Sequence, residues 1–157
     1  MIMVQKTLVA FASKGGATKE TSEIIADVLR DKFRFEVDLL DLRKSSKNII
    51  VYSNIVIGTG VRGRKVYREA LNFLNQDFGQ RKLAFFVCCG GAGDPKNYEE
   101  SCAKYVNEVL AKYPNVKTVA TEAFGGRIKV LGRTLFNNID AEKIRLWAEV
   151  LGNKLRI

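Results

Sequence analysis

Two patterns of apolar and polar residues follow each other repeatedly along this chain. Apolar-rich runs at residues 8–11, 35–42, 52–58, 83–89 and 116–124 predict five short strands. Apolar residues at three- and four-residue spacing predict helices over residues 20–29, from 66 to about 78, from 102 to 110, and from near 140 to 151. The segment 125–138 fits neither pattern clearly, so its structure stays open.

The alternation of strands and helices predicts a doubly wound parallel sheet with helices on both faces, because parallel strands need right-handed crossover connections. A strand order of 2-1-3-4-5 would place a ligand in the crevice between the first and third strands. The loops at residues 13–18 and 59–64 would meet there, and the loop at residues 90–98 would close the crevice from the other side. Since no repeat or linker interrupts the pattern, residues 1–157 are predicted to form one domain.

The loop after the first strand is typical of an anion site. Ser13-Lys-Gly-Gly-Ala-Thr18 leads into a helix, and hydroxyl side chains stand on both sides of its glycine pair. Backbone N–H groups and the positive end of the helix dipole converge at such a junction. The loop therefore predicts a phosphate site, although a plain turn would explain the glycines alone.

The composition excludes several function classes. The chain has 157 residues, 46% hydrophobic and 27% charged, which is typical of a soluble globular protein. Because no apolar run is long enough for a signal peptide or a membrane span, we expect a cytoplasmic protein. The absence of histidine excludes His-dependent triads. Three cysteines without Cys-x-x-Cys spacing argue against a zinc site, so no metal is predicted, and Cys88 and Cys89 are interpreted as core residues.

Short motifs in three places resemble a known family. The loop Ser13-Lys-Gly-Gly-Ala-Thr18 is similar to the FMN-phosphate loop of flavodoxins, usually Ser/Thr-x-Thr-Gly-x-Thr, and Ile25-Ala26 follow on the first helix. Val56-Ile-Gly-Thr-Gly-Val-Arg62 and Phe124-Gly-Gly-Arg127 resemble the flavodoxin-type, menaquinone-dependent protoporphyrinogen oxidases. The resemblance covers roughly residues 6–155. It implies a flavodoxin-like five-stranded α/β fold of order 2-1-3-4-5.

The resemblance also implies an FMN cofactor held by three loops. The phosphate would bind to the first loop, which consists of Ser13, Lys14, Gly15, Gly16, Ala17 and Thr18. The isoalloxazine ring would lie between the second and third loops, which are Thr59, Gly60, Val61 and Arg62, and Gly90, Gly91, Ala92 and Gly93. Flavodoxins commonly have threonine and asparagine at the positions of Gly15 and Ala17, and the second loop lacks the tryptophan that often stacks on the flavin in electron carriers.

Two alternatives to an FMN site stay open. Gly58-Thr-Gly60-Val-Arg-Gly63 matches the Gly-x-Gly-x-x-Gly pattern of nicotinamide-binding units and follows a strand. The acidic residue that should end the next strand in such a unit is absent, because that strand ends in Cys88-Cys89-Gly90. The second alternative is a flavodoxin fold that has lost FMN and serves as an interaction module.

The formal net charge of +9 points to an acidic partner. A basic rim around the predicted site would consist of Arg62, Arg64, Lys65, Arg127 and Lys129. Anionic porphyrins or an anionic membrane surface are natural partners for such a rim, with the protein cytoplasmic or peripheral at the membrane. Ordinary solvated surface charge is the alternative. Nucleic acid is disfavoured because no recognised binding motif accompanies the charge.

The combined prediction is an FMN-binding, flavodoxin-like redox protein in which the flavin carries out the electron transfer and no side chain acts as an obligatory nucleophile. One function class is an enzyme that oxidises a porphyrinogen and passes electrons to a quinone. The other is a carrier that exchanges electrons with redox partner proteins. No catalytic side chain is predicted for either class.

Overall fold

A five-stranded parallel sheet lies at the centre of the molecule, which a computed structural model describes over residues 5–157. In chain order the elements are β1 (Lys6–Ala12), α1 (Ala17–Phe33), β2 (Glu36–Asp41), β3 (Asn54–Arg62), β4 (Lys65–Val66), α2 (Arg68–Leu74), β5 (Lys82–Cys88), α3 (Tyr98–Ser101), α4 (Glu108–Ala111), β6 (Thr118–Phe124), β7 (Arg127–Val130), β8 (Arg133–Asn137) and α5 (Ala141–Leu155). A 3-10 turn spans Gly90–Gly93, and a π-helical segment, Cys102–Asn107, joins α3 to α4.

The sheet order is β2-β1-β3-β5-β6, and all four neighbouring pairs are parallel. Because β4 is a two-residue strand antiparallel to β3, these five strands correspond to the predicted order 2-1-3-4-5, which is confirmed. The loops after β1, β3 and β5 therefore meet at one edge of the sheet, as the sequence predicts. The sequence also predicts that residues 1–4 lead directly into the first strand, and this prediction falls outside the described residues.

Alternation along the strands divides the core into two layers. Val9, Val56 and Phe86 face α1 and α5, whereas Leu8 and Phe85 face the opposite side. Strand residues of this kind are almost completely buried, because helices cover the sheet on both sides. No helix within residues 5–157 is both long and apolar enough to cross a membrane.

The structure differs from the sequence expectation at several elements. The second predicted helix begins later and ends earlier, since α2 covers only Arg68–Leu74 and Val66 belongs to β4. The open segment 125–138 forms an antiparallel hairpin of β7 and β8. Five large apolar side chains on this hairpin are exposed, so they give no core-facing periodicity that a sequence pattern could reveal: Ile128, Val130, Leu131, Leu135 and Phe136.

Candidate functional site

The first loop forms a tight turn at the amino end of α1. Gly16 takes the left-handed conformation, with φ of 88°, and its N–H donates to the Ser13 hydroxyl oxygen at 3.2 Å. The Glu20 N–H donates to the Gly16 carbonyl at 3.0 Å and so closes the first helical turn. No described side chain caps this end of the 17-residue helix. Its first N–H groups and the positive end of its dipole are therefore directed at the loop, as an anion site requires.

The guanidinium of Arg127, at the start of β7, lies over this turn. A methyl group added at Gly16 would sit 3.4 Å from Arg127 Nη1, and one added at Gly15 would sit 2.8 Å from the Arg127 carbonyl oxygen. Arg127 pairs with Glu20 in the first turn of α1, and its side chain is only 17% exposed, against 46% for Glu20. Gly15 thus makes room for the main chain of β7, and Arg127 adds a positive charge where the helix dipole is already positive.

Two further cations lie beside the same loop. Arg43 Nη1 donates to the Ser13 carbonyl at 3.0 Å. Lys14 Nζ lies 4.8 Å from the centroid of the Tyr67 ring, within cation–π distance. With Arg127, these side chains give the loop a positive potential that suits a dianionic phosphate.

The second loop is a β-hairpin rather than an open loop. Strand β3 continues to Arg62, and Gly63 and Arg64 form a two-residue turn in which both φ angles are positive, 58° and 62°. The Thr59 hydroxyl donates to the Gly60 carbonyl at 2.9 Å and accepts from the Tyr67 N–H at 3.2 Å. Thr59 is fully buried, so its hydroxyl holds the hairpin together.

The Gly-x-Gly-x-x-Gly pattern has a structural cause in this hairpin. A methyl group at Gly58 would sit 2.1 Å from Phe86 Cζ, and one at Gly60 would sit 3.0 Å from Tyr67 Cε2. Gly63 supplies the positive φ of the turn. The chain continues from it into β4, whereas a nicotinamide-binding unit would begin a helix there.

The β7–β8 hairpin packs on the third loop. The Asn138 side chain donates to the Gly90 carbonyl at 2.9 Å and accepts from the Gly126 N–H at 2.9 Å. A methyl group at Gly93 would sit 2.2 Å from Asn138 Nδ2, and one at Gly90 would sit 3.1 Å from the Phe136 ring. The glycines of the third loop therefore allow close contact with this hairpin.

Two neighbouring cavities lie at this edge of the sheet. The phosphate-loop cleft has a volume of about 100 Å³ and lies between Ser13, Thr18, Gly126 and Arg127. The ring cavity, of about 480 Å³, lies between the second loop, the third loop and the helical segment that follows. Both cavities are lined by Val61, Cys89 and Gly90, so they share a wall. Only the larger one reaches the range of about 300–1,000 Å³ that is usual for ligand pockets.

The structure brings most of the predicted site residues to these cavities. The cleft is lined by Ser13, Lys14, Gly15, Ala17, Thr18, Gly60, Val61 and Gly90. Gly91 lines the ring cavity, and Gly16 forms the turn itself. The four remaining residues line neither cavity, because Thr59 and Ala92 are buried and Arg62 and Gly93 are exposed outside them.

Cys88 and Cys89 are buried at the carboxyl end of β5. Burial raises the pKa of Cys88 to about 12, against the opposing effect of the Thr21 and Thr18 hydroxyls. Burial also raises the pKa of Cys89. Both thiols therefore stay protonated at neutral pH, which agrees with the interpretation of these cysteines as core residues.

Sequence reasoning missed the position of Arg127. It placed this residue in a general basic rim, whereas its guanidinium lies against the phosphate loop. The Phe124-Gly-Gly-Arg127 motif was the sequence signal for this position. A Cβ atom added at Gly126 would lie 3.2 Å from the main chain of Cys89, so the missing side chain lets the chain turn back closely over the site. Of the other rim residues, Arg64 lines the ring cavity, while Arg62, Lys65 and Lys129 are exposed.

The fold is that of a doubly wound α/β protein with a glycine-rich loop between the first strand and the first helix. The family model of the flavodoxin domain matches residues 8–149. The chain therefore belongs to the flavodoxin domain family. A comparison with curated proteins finds no match.

Solved structures share the fold at low sequence identity. Oxidised flavodoxin 2 from Bacillus cereus has 21% identity and a TM-score of 0.65, over 95% of this chain and 99% of that one. A short-chain flavodoxin associated with a bacterial microcompartment has 12% identity and a TM-score of 0.65, over 98% of this chain and all of that one. Rubredoxin oxygen:oxidoreductase from Desulfovibrio gigas has 13% identity and a TM-score of 0.65. The match covers 96% of this chain, but this chain spans only 36% of the length of that protein.

The donors around the first loop fit the phosphate of the expected FMN. They combine an uncapped helix end, a hydroxyl at Ser13 and the largely buried guanidinium of Arg127. The 100 Å³ cleft has room for the phosphate end only, whereas the adjoining 480 Å³ cavity has the size that a flavin ring needs. The residues present therefore fit the cofactor.

Proposed function

We propose that this protein is an FMN-dependent redox protein of the flavodoxin type, built as one domain and working in the cytoplasm. The observation that carries the proposal is the uncapped amino end of α1, with the Arg127 guanidinium over it. It lies at the edge of the sheet between β1 and β3, where the strand order reverses and where doubly wound sheets bind their ligands. Membership of the flavodoxin domain family supports the same cofactor. When bound, the flavin would supply one- and two-electron redox chemistry.

The residues of the chain would bind and orient the cofactor. The N–H groups that begin α1, the Ser13 hydroxyl and Arg127 would hold the phosphate. Gly60 and Val61 on one side and Gly90 and Gly91 on the other would flank the ring. Because these contacts come mainly from the main chain, they would position the ring without placing a catalytic side chain beside it.

The affinities for three flavins test this assignment. We expect flavin-free protein to bind FMN more tightly than riboflavin, because riboflavin lacks the phosphate that the first loop would hold. FAD should bind more weakly than FMN, because the cleft has room for one terminal phosphate. Fluorescence titration of each flavin measures the three dissociation constants. Equal affinity for FMN and riboflavin would contradict a phosphate site in the first loop.

Two activities remain compatible with an FMN site. An oxidase that takes electrons from a porphyrinogen and passes them to a quinone is favoured by the cations around the ring cavity, such as Arg64 and Lys104. A carrier that exchanges electrons with partner proteins is favoured by structural neighbours that are flavodoxins over their whole length.

A direct comparison separates the oxidase from the carrier. FMN-loaded protein is mixed either with a porphyrinogen and a menaquinone analogue or with a flavodoxin reductase and its reductant. Turnover of the porphyrinogen that slows as salt rises would support the oxidase, since exposed charges are screened beyond about 8 Å at physiological ionic strength. Rapid reduction by the reductase without porphyrinogen turnover would support the carrier.

A further inference from the structure

A second groove adjoins the ring cavity on the side away from the phosphate loop. It has a volume of about 360 Å³ and lies between β4 and α2 on one side and the π-helical segment and α4 on the other. Arg64, Lys104 and Tyr105 line both spaces, so the groove and the ring cavity are direct neighbours. Any molecule in this groove would lie next to the position proposed for the flavin ring.

The backbone is unusual on both walls of the groove. Arg64 has a φ of 62°, a left-handed conformation that costs free energy in a residue other than glycine. Lys104 and Tyr105 belong to the six-residue π-helical segment Cys102–Asn107. π-Helical turns are rare and occur frequently at functional sites. The three residues with these irregular conformations, Arg64, Lys104 and Tyr105, all line the groove.

The lining of the groove combines an apolar floor with cations at its rim. Val66 and Val109 are buried at the floor, and Tyr105 and Tyr113 add aromatic surface. Four cations line the groove: Arg64, Lys65, Lys104 and Lys112. The ion pairs found among residues 5–157 involve none of these four. Glu108 is the only carboxylate among the described lining residues, so the groove carries net positive charge.

We propose that this groove binds the small-molecule redox substrate, and that the substrate is a planar, largely apolar ring with an anionic substituent. The apolar floor and the two tyrosines would contact the ring, and the cations at the rim would pair with its carboxylate or sulfonate. This inference rests on the proposed flavin site, next to which the groove lies, and on the oxidase activity, because a carrier exchanges electrons with proteins and not with a small molecule. It deepens that proposal by assigning a substrate class and a location.

Binding of anthraquinone-2-sulfonate tests the inference, with neutral 2-(hydroxymethyl)anthraquinone as the matched ligand. The test variant is Lys65→Glu/Lys112→Glu, whose positions line the groove but not the ring cavity. The control variant is Lys117→Glu/Arg145→Glu, which changes the net charge equally at exposed positions outside the groove. Isothermal titration of flavin-free and FMN-loaded protein gives the dissociation constants.

We expect the test variant to bind the sulfonate at least about tenfold more weakly, because each change replaces an attraction by a repulsion. The control variant should bind it within about twofold of the unchanged protein, and the neutral ligand should bind all three proteins alike. An unchanged affinity in the test variant, or an equal loss in the control, would overturn the inference.

The affinity for FMN distinguishes failure of the groove from failure of the flavin site. FMN should bind the test variant and the unchanged protein equally, because Lys65 and Lys112 line neither the cleft nor the ring cavity. If the unchanged protein binds no FMN but still binds the sulfonate through these lysines, the flavin proposal fails and the anion groove stands. If FMN binds and the sulfonate does not, the groove assignment fails alone.

Discussion

Replacement of Arg127 by glutamine should weaken FMN binding much more than riboflavin binding. The guanidinium lies against Gly16 at the amino end of α1, and 83% of its side chain is removed from solvent, since 17% remains exposed. Glutamine keeps a similar length and can still donate a hydrogen bond, but it removes the charge. The change therefore isolates the electrostatic contribution of this residue to phosphate binding.

The magnitude follows from the type of contact. A hydrogen bond between charged groups contributes about 1.5–3 kcal/mol, which corresponds to roughly a 10- to 150-fold change in the dissociation constant. Arg127 already pairs with Glu20, so binding the phosphate replaces this ion pair, and the net contribution of Arg127 to FMN binding is smaller than that of a new contact. We therefore expect about a tenfold to thirtyfold weaker FMN binding.

Replacement of Glu20 by glutamine should have the opposite effect. Its carboxylate pairs with Arg127 beside the loop and would repel a phosphate there. Because Glu20 is 46% exposed, solvent screens this repulsion, and its removal should tighten FMN binding by only about two- to fivefold. The double variant should show that the two effects are not additive, since both act through one contact.

Fluorescence titration of flavin-free protein with FMN and with riboflavin measures these effects. Arg133→Gln is the matched control, because Arg133 is an exposed arginine on the same hairpin. Arg127→Lys tests whether charge alone restores part of the affinity. Equal FMN affinity in Arg127→Gln and the unchanged protein, or an equal loss for riboflavin, would refute the role of Arg127 in phosphate binding.

Three further predictions concern the loop, the pH dependence of stability and the thiols. Thr18→Val should weaken FMN binding about tenfold by removing the hydroxyl of a residue that lines the cleft. An unchanged dissociation constant by the same titration would mean that this hydroxyl does not contact the phosphate. Tyr52→Phe should lower the free energy of unfolding by about 0.5–1.5 kcal/mol at pH 7, because the Tyr52 hydroxyl donates to Asp38 at 2.6 Å and is the main cause of that carboxyl's lowered pKa. A lowered native pKa of Asp38 stabilises the fold at pH values above the unfolded pKa of about 3.9. Urea titrations should therefore show the difference in unfolding free energy between Tyr52→Phe and the unchanged protein shrinking as the pH falls through the native pKa. A difference that stays constant with pH would contradict this. Iodoacetamide should label half-buried Cys102 in the native protein but Cys88 only after unfolding, as peptide mass spectrometry would show, because burial raises the pKa of Cys88 to about 12.

The sheet could be predicted from the sequence because its strands are buried on both sides. Every residue of β5 from Leu83 to Cys88 is buried, which gives the continuous apolar run expected of a strand covered by helices. The tight loop before α1 was also predictable, since a glycine pair between an apolar run and a helical periodicity indicates a sharp change of chain direction. The parallel order then followed from the crossover connections and was confirmed.

The hairpins could not be predicted, because their residues face solvent or contact distant segments. Strand β8 is exposed at all five positions, so it has no inward-facing alternation. Strand β4 has two residues, which is too short for any periodicity. Gly16 and Arg127 lie far apart along the chain, and only the folded protein shows that the β7–β8 hairpin returns over the first loop.

Cofactor loading is the measurement that tests the central claim most directly. Purified protein is saturated with FMN, freed of unbound flavin by gel filtration, and analysed by visible absorption and by mass spectrometry of the flavin released on denaturation. The proposed site predicts one tightly bound FMN per chain, and less flavin retained by the Arg127→Gln variant after the same dilution. Protein that retains no flavin after saturation would contradict the account, and retention of FAD in place of FMN would contradict the single-phosphate cleft.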